Sequence, residues 1–377
     1  MRALLLVLDS VGCGSAPDAA AYGDEGADTL GHIYAKIPGF SLPNLERLGL
    51  AALLDRADAP TPQASWGRMR ERSAGKDTTT GHWEIAGVLL DHPFAVFERF
   101  PDELVAAIER EAGTKFIGNF SRSGTVVLDE LGPEHLRTGK PILYTSADSV
   151  MQIAAHETVV PLPRLYEICK IARRHCDAWR IGRVIARPFT GEPGGFRRTA
   201  GRHDYAMLPP RTVLNALADA GHAVHGIGKI SDIFAGSGIT ASTPTANNAE
   251  GMSAIARLWT GHRGLLFANL VDFDMLHGHR RDVGGYANAL RDFDGWLPSF
   301  LEKIAGDDLV IITADHGNDP TWRGTDHTRE EVPLIVMHGR SARALGTRAT
   351  FADIAATLAD YAGLPAWPDA RSFLRSH

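Results

Sequence analysis

ALLLVLD, residues 3–9, is a continuous apolar run that stops on a carboxylate. Such a run describes a parallel strand buried on both faces. Two later stretches repeat the construction: GLLFANLVDFD (264–274) and DLVIITADHGND (308–319) run apolar and then break into aspartates and turn formers. Between them Tyr286, Leu290, Phe293, Leu297, Leu301 and Ile304 recur at three- and four-residue spacing, one face of an amphipathic helix. RTVLNALADAG then HAVHGIGK (211–229), and VPLIVM then FADIAATLADYAG (332–363), continue the alternation of helix and strand. The expected class is α/β, a mostly parallel sheet with helices on both faces. In such a sheet ligands sit beyond the carboxyl ends of the strands, so the three Asp-terminated strands would deliver their carboxylates to one edge.

The block from 92 to 210 reads differently. It has its own helical patterns (PDELVAAIEREAG, LPRLYEICKIARRHC), its own strand-like runs (PILYTSADSV, RIGRVIARPF), and a close rich in Gly, Pro and Arg. Because the alternation resumes at Arg211, the block is expected to be a smaller α/β domain inserted into a discontinuous core of residues 1–91 and 211–377.

A chain of 377 residues with 44% hydrophobic content supports a large core, and a formal charge of −6 argues against a general nucleic-acid binder. The opening apolar run ends at Asp9 with no cleavage site after it, and no other run approaches the ~20 apolar residues of a membrane helix. The expectation is a cytoplasmic protein that does not bind a membrane. Cys13, Cys169 and Cys176 form no CxxC pair and are read as reduced and structural.

The candidate metal ligands are Asp9, Asp274, His279, Asp315, His316 and His327, each on a strand end or the loop after it. Singly, Asp9 reads as a helix cap, and the Asp and Asn of ADHGND read as turn formers. Six on one sheet edge point to metal. Mixed carboxylate and imidazole donors suit first-row divalent ions such as manganese or zinc, and six are too many for one catalytic zinc. Two ions ~3.5–4 Å apart would use them all. Asp272 and Asp326 are either partners that orient imidazoles or solvated carboxylates, and His277 is a bystander. KDTTTGHWE (76–84) sets three threonines in a row, and a threonine hydroxyl needs a base or a metal to become a nucleophile. A metal pair at the sheet edge would supply it.

DSVGCGSAPDAAAYGDEGADTLGHI, GKDTTTGHWE, YTSADSVMQIAAHE, RVIARPFTGEPG, GRHDYA, GKISDI, VDFDMLHGHRRD and TADHGNDPTWRGTDHTRE resemble, in order and over essentially the whole chain, the bacterial phosphopentomutases of the alkaline phosphatase superfamily. The resemblance implies an alkaline-phosphatase-like core with an inserted cap. It implies an enzyme that interconverts ribose 1-phosphate and ribose 5-phosphate, and the 2-deoxyribose equivalents, in nucleoside salvage. The route would run through a phosphothreonine and a sugar bisphosphate, with two manganese ions and glucose 1,6-bisphosphate as the primer. Carried onto this chain, it makes Thr78 the nucleophile and Thr79 and Thr80 shape and hydrogen-bonding residues. Asp9, Asp315 and His316 would hold one manganese and Asp274, His279 and His327 the other. Arg187, Arg202, His203 and Lys229 match positions that contact the sugar phosphate, and Ser146 and Asp148 match positions that contact its hydroxyls. Arg197 and Arg198, which no motif anchors, are read as a solvated basic loop.

The competing enzyme is a metal-dependent phosphatase or phosphodiesterase on the same platform. An inserted domain that excludes water would favour the mutase. A sensing protein that had lost its chemistry would not keep Thr78 and all six ligands. The implied partners are small sugar phosphates, with no obligatory protein partner.

Overall fold

The computed structural model describes residues 1–146, 149–339 and 342–374. The chain divides into two compact units, Met1–Pro93 with Pro209–His377, and Phe94–Leu208.

The first unit is built on an eight-stranded sheet. Its strands run in the order Ala241–Thr243, Ala223–Ile227, Gly264–Leu270, Arg2–Leu8, Leu309–Thr313, Val332–Met337, Ser65–Met69 and Ala344–Arg348. Of these, Val332–Met337 is antiparallel to both its neighbours, and the other pairs are parallel. The three Asp-terminated runs are therefore adjacent, with Arg2–Leu8 in the middle. Leu8 pairs with Leu270 and Val7 with Thr313, so the three chains leave the sheet side by side. All three strands are almost wholly buried, which explains why none shows polar alternation.

The predicted amphipathic helix spans Val283–Leu301 and buries Tyr286, Leu290, Phe293 and Leu297, but its apolar face ends on Phe300. Leu301 and Ile304 are half-exposed, because the helix stops at Leu301 and the chain turns away. The helices Val213–Asp219 and Asp353–Tyr361 and the strands Ala223–Ile227 and Val332–Met337 lie where the alternation put them. The strand Ala344–Arg348 was not foreseen. Its sequence, ALGTR, is an exposed edge strand with a register shift at Gly346, so it carries no apolar signature.

The second unit has a six-stranded sheet, Ile117–Ser121, Ile142–Thr145, Val150–His156, Arg183–Thr190 and Arg197–Arg198 in order, with His203–Ala206 also paired to Arg183–Thr190. PILYTSADSV, read as one run, is two things: the whole of Ile142–Thr145 and the first residue of the antiparallel Val150–His156. Helices Asp102–Ala112 and Leu162–Asp177 pack Leu104, Ile108, Leu165, Ile168 and Cys169 into one core cluster with Met151, Ile153 and Val184. A third helix, Val126–Thr138, escapes pattern reading because Pro133 sits inside it. All three cysteines are free and buried. Among the described residues, no helix is long and apolar enough to cross a membrane.

Candidate metal centre and nucleophile

Asp9 follows the central strand directly, and the chain turns at Ser10, which adopts a left-handed φ of 70°. A non-glycine residue holds that conformation only where its surroundings impose it. Here the Ser10 N–H donates to Asp315 Oδ1 at 3.1 Å, and its hydroxyl lies 3.0 Å from the Tyr286 hydroxyl. Asp315 and His316 leave the neighbouring strand one residue beyond Ala314. Asp274 lies on the short helical turn Phe273–Gly278 after the third strand, and Asn318 Nδ2 donates to its Oδ1 at 2.8 Å.

Among the described residues, two groups of side chains place their donor atoms together: Asp9, Asp315 and His316, and Asp274, His316 and His327. His316 Nε2 lies 3.3 Å from Asp315 Oδ2 and 3.5 Å from Asp9 Oδ1, while its Nδ1 bonds the Gly317 carbonyl at 3.0 Å. The rings of His316 and His327 are 4.0 Å apart, and those of His279 and His327 4.8 Å. His279 reaches Asp274 Oδ2 with Nε2 at 3.1 Å, and its Nδ1–H donates to the Thr325 carbonyl at 2.6 Å. The six candidate ligands are thus one cluster, with His316 shared between the two groups.

Electrostatics at the cluster are strained in the way a divalent cation would relieve. Burial, then Asp315 and Asp274, push Asp9 up to about 7. Burial works against a charged His316, yet Asp315, Asp9 and Asp274 together raise it to about 9. Asp274 is held well below the usual carboxylate range in spite of its burial, by His279 and His327. Asp9 Oδ1 and His327 Nε2 are buried without a hydrogen-bond partner. Buried acceptors without donors are costly, and carboxylates with imidazoles are the donor set of first-row divalent ions. The residues fit divalent metal.

Thr78 is the first residue of the helix Thr78–Ile85, capped by Asp77. Asp77 Oδ1 accepts from the N–H groups of Thr79 and Thr80 at 3.0 and 3.1 Å, and its Oδ2 accepts from the Thr80 hydroxyl at 2.5 Å. The Thr78 hydroxyl reaches the cluster, 3.1 Å from His316 Nε2. The helix can come this close because residue 81 is glycine: a Cβ there would overlap the Asp315 carbonyl oxygen.

Several residues with no motif to announce them build this geometry. Glu330, 1% exposed, accepts from Thr29 N and Oγ1, Thr328 Oγ1 and Gly14 N, and fills the space a Cβ would need at Gly12 and Gly317. Arg329, 2% exposed, spans Glu71, Asp18 and the carbonyls of Ser73 and Gly75, fixing the chain that leads into Thr78. Glu84, from the GHWE tail, accepts from the N–H groups of Arg72, Ser73 and Phe351. The only signal for these was their place beside the ligand motifs. Asp272 exchanges hydrogen bonds with Asn248, accepting at 2.8 Å and donating its N–H at 3.0 Å, and among the described residues it bonds no imidazole. Asp326 accepts from the His327 backbone N–H and lies 3.4 Å from Lys76, and His277 pairs with Asp282.

The sugar-phosphate candidates divide between the units. Lys229, in the first, is exposed, with its ammonium 3.7 Å from the Met275 sulfur. In the second, the register of Ala186 with His203 brings Arg202 beside Arg187. Arg187 Nε donates to Gln152 at 2.9 Å, and burial, then Arg202, lower its pKa. Arg202 forks onto Asp204 at 2.7 and 2.6 Å, and His203 packs its ring 4.5 Å from Tyr205. Ser146 is half-buried just after Ile142–Thr145, and Asp148 lies outside the described residues. Arg197 and Arg198 are exposed.

Residues 1–366 match the model of the metalloenzyme superfamily, and the chain belongs to that class of divalent-metal proteins. A Pyrococcus horikoshii protein of solved structure shares the fold, with 13% identity, a TM-score of 0.50 and 96% of each chain covered. The chain is 54% identical over 373 residues to the phosphopentomutase of Carboxydothermus hydrogenoformans, covering 96% of each. It is 55% identical over 371 residues to that of Anaeromyxobacter dehalogenans, covering 96% of this chain and 95% of the relative. It belongs to the phosphopentomutase family and is an enzyme of that type.

Proposed function

We propose that this enzyme interconverts ribose 1-phosphate and ribose 5-phosphate, and the 2-deoxyribose equivalents, with Thr78 as the phosphoryl carrier and two manganese ions as cofactor. The observation that carries the reading is the Thr78 hydroxyl, 3.1 Å from His316 Nε2, the imidazole shared by both ligand groups. Asp9, Asp315 and His316 would hold one ion, and Asp274 and His327, with His279, the other. Bound there, divalent ions stabilise charge on phosphoryl oxygens and on a threonine oxygen as it attacks or leaves.

The chain's own residues do the rest. Asp77 occupies the hydroxyl of Thr80, while that of Thr78, beside His316, would accept the phosphoryl group. The N-terminus of the Thr78–Ile85 helix favours the anion that results. In the forward half-reaction the bond from phosphorus to Thr78 Oγ1 breaks and one to a free hydroxyl of the pentose phosphate forms. The proton of that hydroxyl ends, in net, on Oγ1, and a sugar bisphosphate results. Thr78 then takes the other phosphoryl group. Arg187, Arg202, His203 and Lys229 would hold the phosphate that is not reacting, and Ser146 and Asp148 the sugar hydroxyls. Glucose 1,6-bisphosphate would prime Thr78 in the same way.

The test is peptide mapping by mass spectrometry after incubation with manganese and glucose 1,6-bisphosphate. A phosphoryl group is expected on Thr78. Its appearance on another residue, or on none while the enzyme turns over, would overturn the assignment.

A further inference from the structure

We infer that His82 and Asn269 are positioning residues, a buried hydrogen-bond chain that ties the backbone of the nucleophile's turn to the carboxylate of Asp9. The inference rests on the reading of Thr78 as phosphoryl carrier and Asp9 as metal ligand. Both residues are sealed from solvent, at 0% and 1% exposure, and the His82 ring stacks on Phe267 with centroids 5.9 Å apart.

The donor count fixes the chain's direction. Asn269 Nδ2 lies 2.9 Å from Asp9 Oδ2 and 3.2 Å from His82 Nε2. An amide turned the other way would set its oxygen against a carboxylate oxygen, so the NH2 group faces Asp9. Its two hydrogens then serve Asp9 Oδ2 and His82 Nε2, and His82 must accept at Nε2. The ring proton therefore sits on Nδ1, where it donates to the Thr78 carbonyl at 2.9 Å with Asp315 Oδ2 at 3.1 Å. A proton on Nε2 would point at the Asn269 NH2 group and break the chain. With Oδ2 occupied, Asp9 keeps Oδ1 as its free oxygen, the atom left without a hydrogen-bond partner. One imidazole thus sets the Thr78 turn and, through one amide, selects which oxygen of Asp9 is available.

The side-chain amides of two variants separate the two ends of the chain. In His82→Asn the shorter amide reaches the Nδ1 position and keeps a donor for Thr78. In His82→Gln the longer amide reaches the Nε2 position and keeps an acceptor for Asn269. The expected result for His82→Gln is a kcat lower by roughly tenfold, with manganese affinity, measured by calorimetry on the chelated full-length protein, close to wild type. His82→Asn and Asn269→Leu should show the reverse, a manganese affinity weaker by about tenfold or more. Equal losses of kcat and affinity in both His82 variants, or unchanged affinity in Asn269→Leu, would overturn the inference. Nitrogen-15 NMR of the histidine-labelled, chelated wild-type chain keeps it testable if the variants do not fold: the proton should be found on Nδ1 of His82, and a proton on Nε2 contradicts it. If Thr78→Ala kept its turnover, the carrier assignment would fall while the tautomer and affinity results stood.

Discussion

Two clusters of charged residues, one in each unit, are held in opposite ways. At the ends of the three adjacent strands of the first unit, carboxylates and imidazoles are buried against one another, and Asp9 Oδ1 and His327 Nε2 have no hydrogen-bond partner. On and beside Arg183–Thr190 of the second unit the cations are reached by solvent and already engaged, half-buried Arg187 by Gln152 and exposed Arg202 by Asp204. The first arrangement is costly for the protein alone and becomes favourable only with a cation. The second costs little and can exchange its partners for a phosphate arriving from water. On the proposed reading, a resident cofactor and a transient substrate leave different marks on the residues that would await them.

The contrast can be broken or sharpened experimentally. Thr78→Ala should have the largest effect, a loss of kcat on the order of 10⁴-fold with manganese content unchanged by elemental analysis. Turnover near wild type in a folded, metal-loaded variant would remove Thr78 from the mechanism. His327→Ala should lower manganese occupancy and weaken its affinity by about 100-fold, since it deletes a ligand rather than a ligand's neighbour. Arg187→Ala, at the other region, should leave metal content alone and raise KM for ribose 5-phosphate by about tenfold, the worth of one hydrogen bond to a charged group. A fall in metal content there would erase the distinction between the regions.

The smallest effect concerns stability. Burial raises Glu330 to about 7, against the donors that oppose the rise. A carboxyl group with a raised folded pKa contributes stability that is complete below its unfolded value of 4.5 and is lost as pH climbs through the folded one. The metal-free wild type should therefore lose denaturant resistance between pH 5 and 7. Glu330→Gln, less stable at low pH, should lose less over that interval, and an identical decline in both would assign it to other groups.

The first region was legible in the sequence and the second only through resemblance, for physical reasons. An apolar run that ends in aspartate announces both a buried parallel strand and the edge it feeds, so adjacency of Asp9, Asp274 and Asp315 followed from fold class. His82, Asn269, Ser10 and Glu330 could not be read, because each acts through a partner far away in the chain. Asn269 meets Asp9 across 260 positions, and Glu330 meets Thr29 across 301. Asn269 was further hidden inside the apolar run that made its strand recognisable. In the second unit, arginines on short strands look like any solvated loop until the register of Ala186 with His203 puts Arg202 beside Arg187. Thr78 is likewise chosen among three threonines by resemblance alone; what the sequence could not show is Asp77 engaging the hydroxyl of Thr80 while that of Thr78 lies within reach of His316.

The most direct test is the fate of the phosphoryl group. Purified protein should be incubated with manganese, ribose 5-phosphate and a trace of glucose 1,6-bisphosphate, and the products followed by phosphorus NMR. Transfer through Thr78 predicts the ribose 1-phosphate signal with no accumulation of free phosphate. Free phosphate as the dominant product would contradict it, and would mean that water rather than a sugar hydroxyl takes the phosphoryl group from Thr78.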